Sequence, residues 1–415
     1  MVILVVVAYG AYWLLSKHSD PDMLAGPAKT FGEIAALQTT GDGYELVIIK
    51  PDGSIVPSPD YVKGAADQNP TWRPDGGRLF FESDRYQQQP HLYRWNPDSG
   101  LVERRTTDKR PKGFLSFAAP GVEKGKDDAK ALMISGGTVV EIDANTGEQK
   151  QLLPPNNSSN MGGGGEVGAQ SSMERFAALG TSFAKAMWTK NKHYIVAVMD
   201  REPGDQSLVI QDMTNPKAPP QGIVMAKHIG LDVCPISGRI VYSAQGWEVP
   251  DWFSDDQKRP FIKNGKLVPP IYSVVQIMDS ENLKPAPGTA PTSGPMVVSD
   301  KPTMVFGDPS ISPDEKLVAV PFGNMGPQGF EAKALIGMPV RTNAAKDGFP
   351  IIAGNVSHLS WAPDSSSIIG IAPTGQPGAF DVVLIEAKPH GVARNLTQGH
   401  GVFVDAAASP QKSGG

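Results

Sequence analysis

The sequence predicts an all-β fold, a β-propeller in which small four-stranded sheets stack in a ring, and three observations predict it. A strand–turn–strand unit recurs along the chain. Glycine and proline, 45 and 38 of the 415 residues, are frequent enough to punctuate many short strands. The two chain ends carry complementary parts of one further unit.

The unit is clearest from Asn69, N-P-T-W-R-P-D-G-G-R-L-F-F-E-S-D-R, followed by H-L-Y-R-W-N-P-D-S-G from His91 and R-R-T-T from Arg104. A second copy runs S-H-L-S-W-A-P-D-S-S-S-I-I-G-I-A from Ser357, then D-V-V-L-I-E-A from Asp381 and R-N-L-T from Arg394. A third is D-P-S-I-S-P-D-E-K-L-V-A-V from Asp308. In each, Trp72, Ile311 or Trp361 ends a first strand. The P-D turn that follows is shaped by the fixed φ of proline. Asp75, Asp314 or Asp364 then bonds its own backbone two residues on. Asp52 and Asp98 stand in P-D turns too, so these carboxylates are structural rather than catalytic. Degenerate copies near Phe117, Trp188 and Val233 bring the starts to six.

The chain ends supply one more. G-H-G-V-F-V-D-A-A-A-S-P-Q from Gly399 reads as a first strand whose partners stand at the other end, E-I-A-A-L-Q-T from Glu33 and Y-E-L-V-I-I-K-P-D-G from Tyr44. Joining both ends in one blade removes free strand edges, which otherwise invite aggregation. The predicted count is seven blades, with six as the alternative.

The W-x-P-D-G turn, the L-F-F-E-S strand and the L-Y-R-W-N strand together resemble the TolB-like propeller repeat. The resemblance covers most of the chain and is strongest in three blades. It implies non-catalytic protein–protein binding at a bacterial cell envelope, with other membrane or envelope proteins as partners. An accessory subunit that stabilises a larger membrane complex fits that role.

The expected organisation is an N-terminal anchor over 1–18, a linker over 19–30, and the propeller over 31–411 with insertions at 154–186 and 247–300. Val2 to Leu15 is free of charge and carries Tyr9, Tyr12 and Trp13 ahead of Lys17. At ~1.5 Å per residue it spans roughly 22 Å, and its flanking aromatics match an interfacial anchor. A short transmembrane or anchor helix is expected, single-pass in a bacterial inner membrane, with the propeller periplasmic. The charge flanks leave the cytoplasmic side open.

In the first insertion, P-P-N-N-S-S-N-M-G-G-G-G reads as a flexible loop. Phe176, Leu179, Phe183 and Met187 then recur at three- and four-residue spacing, which predicts an amphipathic helix over 174–188. The second insertion opens W-E-V-P-D-W-F. Trp247, Asp251, Trp252 and Phe253 form a candidate docking cluster there, since aromatic residues dominate interface hot spots; covering a blade edge is the competing role.

Charge and motif content exclude several classes. A net charge of -5 with no basic stripe argues against nucleic acid. The lone Cys234 rules out a disulfide framework and reads as a buried small hydrophobe. No G-x-S-x-G elbow occurs, nor a phosphate loop, C-x-x-C, H-E-x-x-H or EF-hand pattern. No catalytic residue and no cofactor is expected. One alternative survives: His228, His358 and His400 each stand upstream of a blade turn, where they would face the channel. Oligogalacturonate lyases, similar in repeat type, hold a metal through channel histidines, so a metal-dependent lyase or lactonase is the competing class.

Overall fold

The computed structural model describes residues 32–410 except 87–88, 119–128, 155–181, 202–203, 219, 235–236, 247–254, 260–261, 268–271, 281–292, 300, 302, 327–328, 375 and 377. Strands account for nearly all of its regular structure, arranged as seven antiparallel blades. Numbered along the chain, the inner strands of blades one to four are Asp67–Trp72, Lys112–Phe117, Ser182–Trp188 and His228–Val233. In blade five the inner strand is broken into Met304–Phe306 and Ser310–Ile311. Ser357–Trp361 and Phe403–Ala408 are the inner strands of blades six and seven. Each predicted strand start is thus the head of its own blade, and the count is seven.

Blade seven joins the two ends of the propeller. Phe403–Ala408 pairs antiparallel with Ile34–Thr39, in the register Ile34 opposite Ala408 and Ala36 opposite Ala406. Tyr44–Ile49 and Ile55–Pro57 complete the sheet. Backbone bonds extend the closure at both ends, from Thr39 N to Val402 O at 2.8 Å and from Ser409 N to Glu33 O at 2.9 Å.

The core is not one mass but seven, because a lone sheet leaves both faces wet and must bury them against its neighbours. Seven buried apolar clusters straddle the seven junctions, one to each. Phe81, Tyr93 and Trp95 of blade one, for example, pack on Leu46 and Ile48 of blade seven. Burying one such Leu or Ile side chain contributes ~1.5–3 kcal/mol, so stability is shared around the ring.

The turns follow their chemistry. Asp52, Asp75 and Asp364 each accept the N–H two residues on at 2.9 Å, and Asp314 does so at 3.2 Å. Cys234 is buried directly after the inner strand of blade four, and its thiol donates to Glu315 Oε1 at 2.9 Å.

Three expectations change or fall outside. The helix predicted over 174–188 is a strand from Ser182 to Trp188, with 174–181 outside the described residues. A bulge between Phe183 and Lys185 offsets the alternation, so Phe183 packs toward blade two and Met187 toward blade four rather than sharing one helical face. Within 247–300, Tyr272–Asp279 and Gly294–Val298 are the third and fourth strands of blade four, which confines the first inserted segment to 247–271. The expected anchor, with Tyr9, Tyr12, Trp13 and Lys17, lies outside the described residues; among those described, no helix is long and apolar enough to cross a membrane.

Candidate functional site: the channel ring and its mouth

The inner strands contact one another in sequence, blade one to blade two and onward, and blade seven returns to blade one. They line the central channel, and several carry bulges that turn side chains out of the regular alternation. Register shifts occur at Asn69, Phe114, Ala184 and His358, and all but Ala184 hold positive φ.

Polar and charged side chains then bridge from blade to blade. Lys185 of blade three stands 5.1 Å over the Phe114 ring of blade two and donates to Leu231 O of blade four at 2.5 Å. His228, the first residue of blade four, pairs through Nε2 with Asp308 Oδ1 of blade five at 2.8 Å. Asp232 accepts from Ile311 N at 2.8 Å and from Ser310 Oγ at 3.3 Å across the same junction. His358 Nδ1 of blade six lies 3.2 Å from Asp405 Oδ1 of blade seven.

Glycine makes one of these contacts possible. A Cβ built on Gly230 would lie 2.7 Å from the Asp308 Cα, so only a residue without a side chain lets Asp308 reach His228.

The electrostatics follow from the pairing. The hydrogen bond to Asp308 holds the His228 imidazole above the usual histidine range, and that to Asp405 does the same for His358. Crowding by the inner strands opposes ionisation of Asp308, but the His228 bond, with Lys185 and His358 adding, holds it below the usual carboxylate range. Its side chain remains 62% accessible within the channel, so it is a wet ion pair rather than a buried one. Burial raises Asp232. Behind the ring, burial pushes Glu82 up to about 7, opposed by its bond from Asn69 Nδ2 at 3.0 Å; its Oε1 has no partner among the described residues.

The predicted histidine triad does not assemble. His228 and His358 sit at channel positions, each against a carboxylate of the next blade. His400 lies elsewhere, lining a cleft with Asp52, Arg394 and Gln398 between the outer strand of blade six and a turn of blade seven. Among the described residues no group of three or more metal-ligating side chains comes together. The carboxylate partners Asp308 and Asp405 were missed, because only the blade order brings residues 80 and 47 positions apart into contact (the second separation being 405 minus 358).

Topology assigns this ring a front face. His228 starts its strand opposite Gln245, and Gly246 leads out opposite Tyr272, so the second-to-third-strand connections and the blade-to-blade connections share that face. The two longest segments between blade strands, 154–181 and 247–271 (the latter holding a small ladder of Ile262–Lys263 with Lys266–Leu267), both begin and end there, after Leu153 and before Ser182, and after Gly246 and before Tyr272. Trp247, Asp251, Trp252 and Phe253 lie outside the described residues, in the segment that leaves the ring at Gly246.

The sequence matches no protein-family model, and no curated protein matches it. Among solved structures, a prolyl endopeptidase superposes with a TM-score of 0.53 at 10% identity, over 95% of this chain and 55% of that one. TolB from Acinetobacter baumannii superposes with a TM-score of 0.49 at 14% identity, over 92% of this chain and 67% of that one. The propeller domain of Cps50 (Swd1) from Myceliophteria thermophila gives 0.44 at 10% identity, over 83% and 87%. At such identities the likeness is one of fold. The chain is a seven-bladed β-propeller, an architecture consistent with a protein-interaction scaffold.

Proposed function

We propose that this propeller is a non-catalytic docking scaffold of the TolB-like kind, an accessory subunit that stabilises a larger bacterial membrane complex. The observation that carries the reading is that the two longest inserted segments both leave and rejoin the ring on the face where the charged channel mouth lies. Loops held on a rigid frame are where partners bind. The recurring P-D turn units, W-x-P-D-G at Trp72 among them, and the apolar stretch from Val2 to Leu15 support an envelope setting, with the ring held to the inner membrane on its periplasmic side.

In this reading Trp247, Trp252 and Phe253 anchor the partner and Asp251 sets its polar rim. Gentle detergent extraction followed by mass spectrometry of co-purifying proteins tests it. A defined set of membrane proteins should accompany the wild-type chain and be lost from a Trp252→Ala, Phe253→Ala variant that retains its thermal transition. A chain that emerges alone and turns over a sugar or lactone contradicts the scaffold.

A further inference from the structure

A cavity of about 260 Å³ opens on blade one, lined by Asp60, Arg85, Tyr86, Tyr93, Val102 and Arg104. It lies where Asp60, just past the last strand of blade seven, meets blade one. The fourth strand of blade seven is only Ile55–Pro57, and the chain then turns away through Ser58 to Asp60. Tyr93 and Arg104 are opposite one another on adjacent strands, and Val102 lies two residues earlier on the same side.

The two arginines of the cavity differ in kind. Arg85 is buried, with its guanidinium 4.8 Å over the Phe81 ring and 5.5 Å from the Tyr93 ring. Its donors are committed to Ser83 Oγ at 3.1 Å, Pro59 O at 3.2 Å, Asp60 O and Ser58 Oγ at 3.5 and 3.4 Å, and the Asp67 carboxylate at 2.7 Å. It builds the wall and offers nothing further. Arg104 is the reverse. Its neighbours Arg94 and Arg105 both pair with Glu103, whereas Arg104 has no acidic partner among the described residues. Tyr86 stands beside it, 66% exposed and held in positive φ, an uncommon state for a bulky residue.

We propose that this cavity binds a single carboxylate, paired with Arg104 and walled by the Tyr86 and Tyr93 rings. A guanidinium presents paired donors that match a carboxylate edge, and the flanking aromatic rings give an apolar contact surface beside the pair. Asp60, the one carboxylate in the lining, disfavours multiply charged anions such as phosphate. The carboxylate has two possible sources, a small aromatic acid or an acidic side chain of a docked peptide.

The test titrates the full chain, with arginine side chains labelled for NMR, against inorganic phosphate and three further probes. These are N-acetylphenylalanine, its uncharged amide, and an end-blocked hexapeptide carrying one glutamate. At least one of the two carboxylate probes should shift the Arg104 signal and bind tenfold or more tighter than the amide; the tighter of the two identifies the source. Arg104→Gln should weaken that binding tenfold or more without moving the thermal transition, and Asp60→Asn should strengthen it. Tyr86→Ala should weaken it as well, which keeps the test independent of any one variant's folding. Failure of both carboxylates to bind, unchanged binding in Arg104→Gln, or equal binding of inorganic phosphate overturns the proposal. None of these outcomes depends on the docking face, which the co-purification experiment tests separately.

Discussion

The indole of Trp72 donates its Nε1–H to the carbonyl of Ala407, 3.1 Å away, so the first full blade is bonded to the last strand of the propeller. Trp361 makes the same reach into the blade before it, to Ser310 O at 3.2 Å. Trp188 holds the equivalent place in blade three, but its Nε1 is buried with no partner among the described residues. Leaving a half-buried carbonyl such as those of Ala407 and Ser310 unpaired costs at most about 1–3 kcal/mol, the range for a fully buried one. Trp72→Phe and Trp361→Phe should therefore each lower the unfolding free energy by about 1 kcal/mol, the low end of that range. Trp188→Phe should cost clearly less, as read from denaturant midpoints at constant slope.

The fully buried Arg85–Asp67 pair fastens blade one to blade seven, because Asp67 also accepts the N–H of Leu46 at 3.0 Å. Removing one member of a buried pair leaves the other charge uncompensated, typically at a cost of 3–5 kcal/mol. Asp67→Asn should be destabilising on roughly that scale. Replacing both residues with apolar ones of similar volume should recover much of the loss, which a double-mutant cycle in urea measures.

Glu82 gives the fold a defined pH response. Its folded pKa is raised from the ordinary 4.5 to about 7, so its contribution is fully present below pH 4.5 and is lost as pH rises through about 7. Glu82→Gln removes that loss. The variant should match the wild type near pH 4.5 and be more stable by up to about 3 kcal/mol above pH 8, a ceiling set by the shift in pKa. A stability difference that does not change with pH refutes the assignment.

The channel histidines titrate in the opposite company. Both are raised by a carboxylate, so their contribution is present below the ordinary histidine range and is lost as pH climbs through the raised value. His228 and His358 should titrate above free histidine by NMR, and Asp308→Asn should return His228 toward it. Gly230→Ala should have the same effect on His228, because its methyl takes the space of the Asp308 backbone.

Much of the ring could be read before any coordinates, and the reason is repetition. A turn such as R-P-D-G-G fixes its own backbone locally, so Trp72, Ile311 and Trp361 marked true strand ends. The alternating apolar strands from Glu33 and Gly399 found each other because each lacked partners. The failures share one cause, information that is not local. The four-residue step from Phe183 to Met187 suited a helix, whereas the bulge at Ala184 sets the two on opposite faces of a strand. His228 and His358 stand on inner strands while His400 lines an outer cleft, and Asp308 and Asp405 carried no sign of their roles, since blade order alone makes them neighbours. Arg85 stood in plain view at the end of L-F-F-E-S-D-R, but its partners Asp67 and Ser58 belong to the strand before and the blade before that.

A docking face requires a ring that stays shut, and blade seven alone provides the seam. From the bond between Ser409 N and Glu33 O, the alternation of an antiparallel ladder makes Ala36 and Ala406 a non-hydrogen-bonded pair. Such a pair has Cα atoms roughly 4.5 Å apart, within reach of a disulfide. In a Cys234→Ser background, Ala36→Cys with Ala406→Cys should oxidise intramolecularly in the folded state. The oxidised form should unfold at higher denaturant than the reduced form, by about 2–4 kcal/mol. Thiols that remain free under oxidising conditions in folded protein, or a disulfide that forms only after unfolding, would contradict a propeller closed by its own two ends.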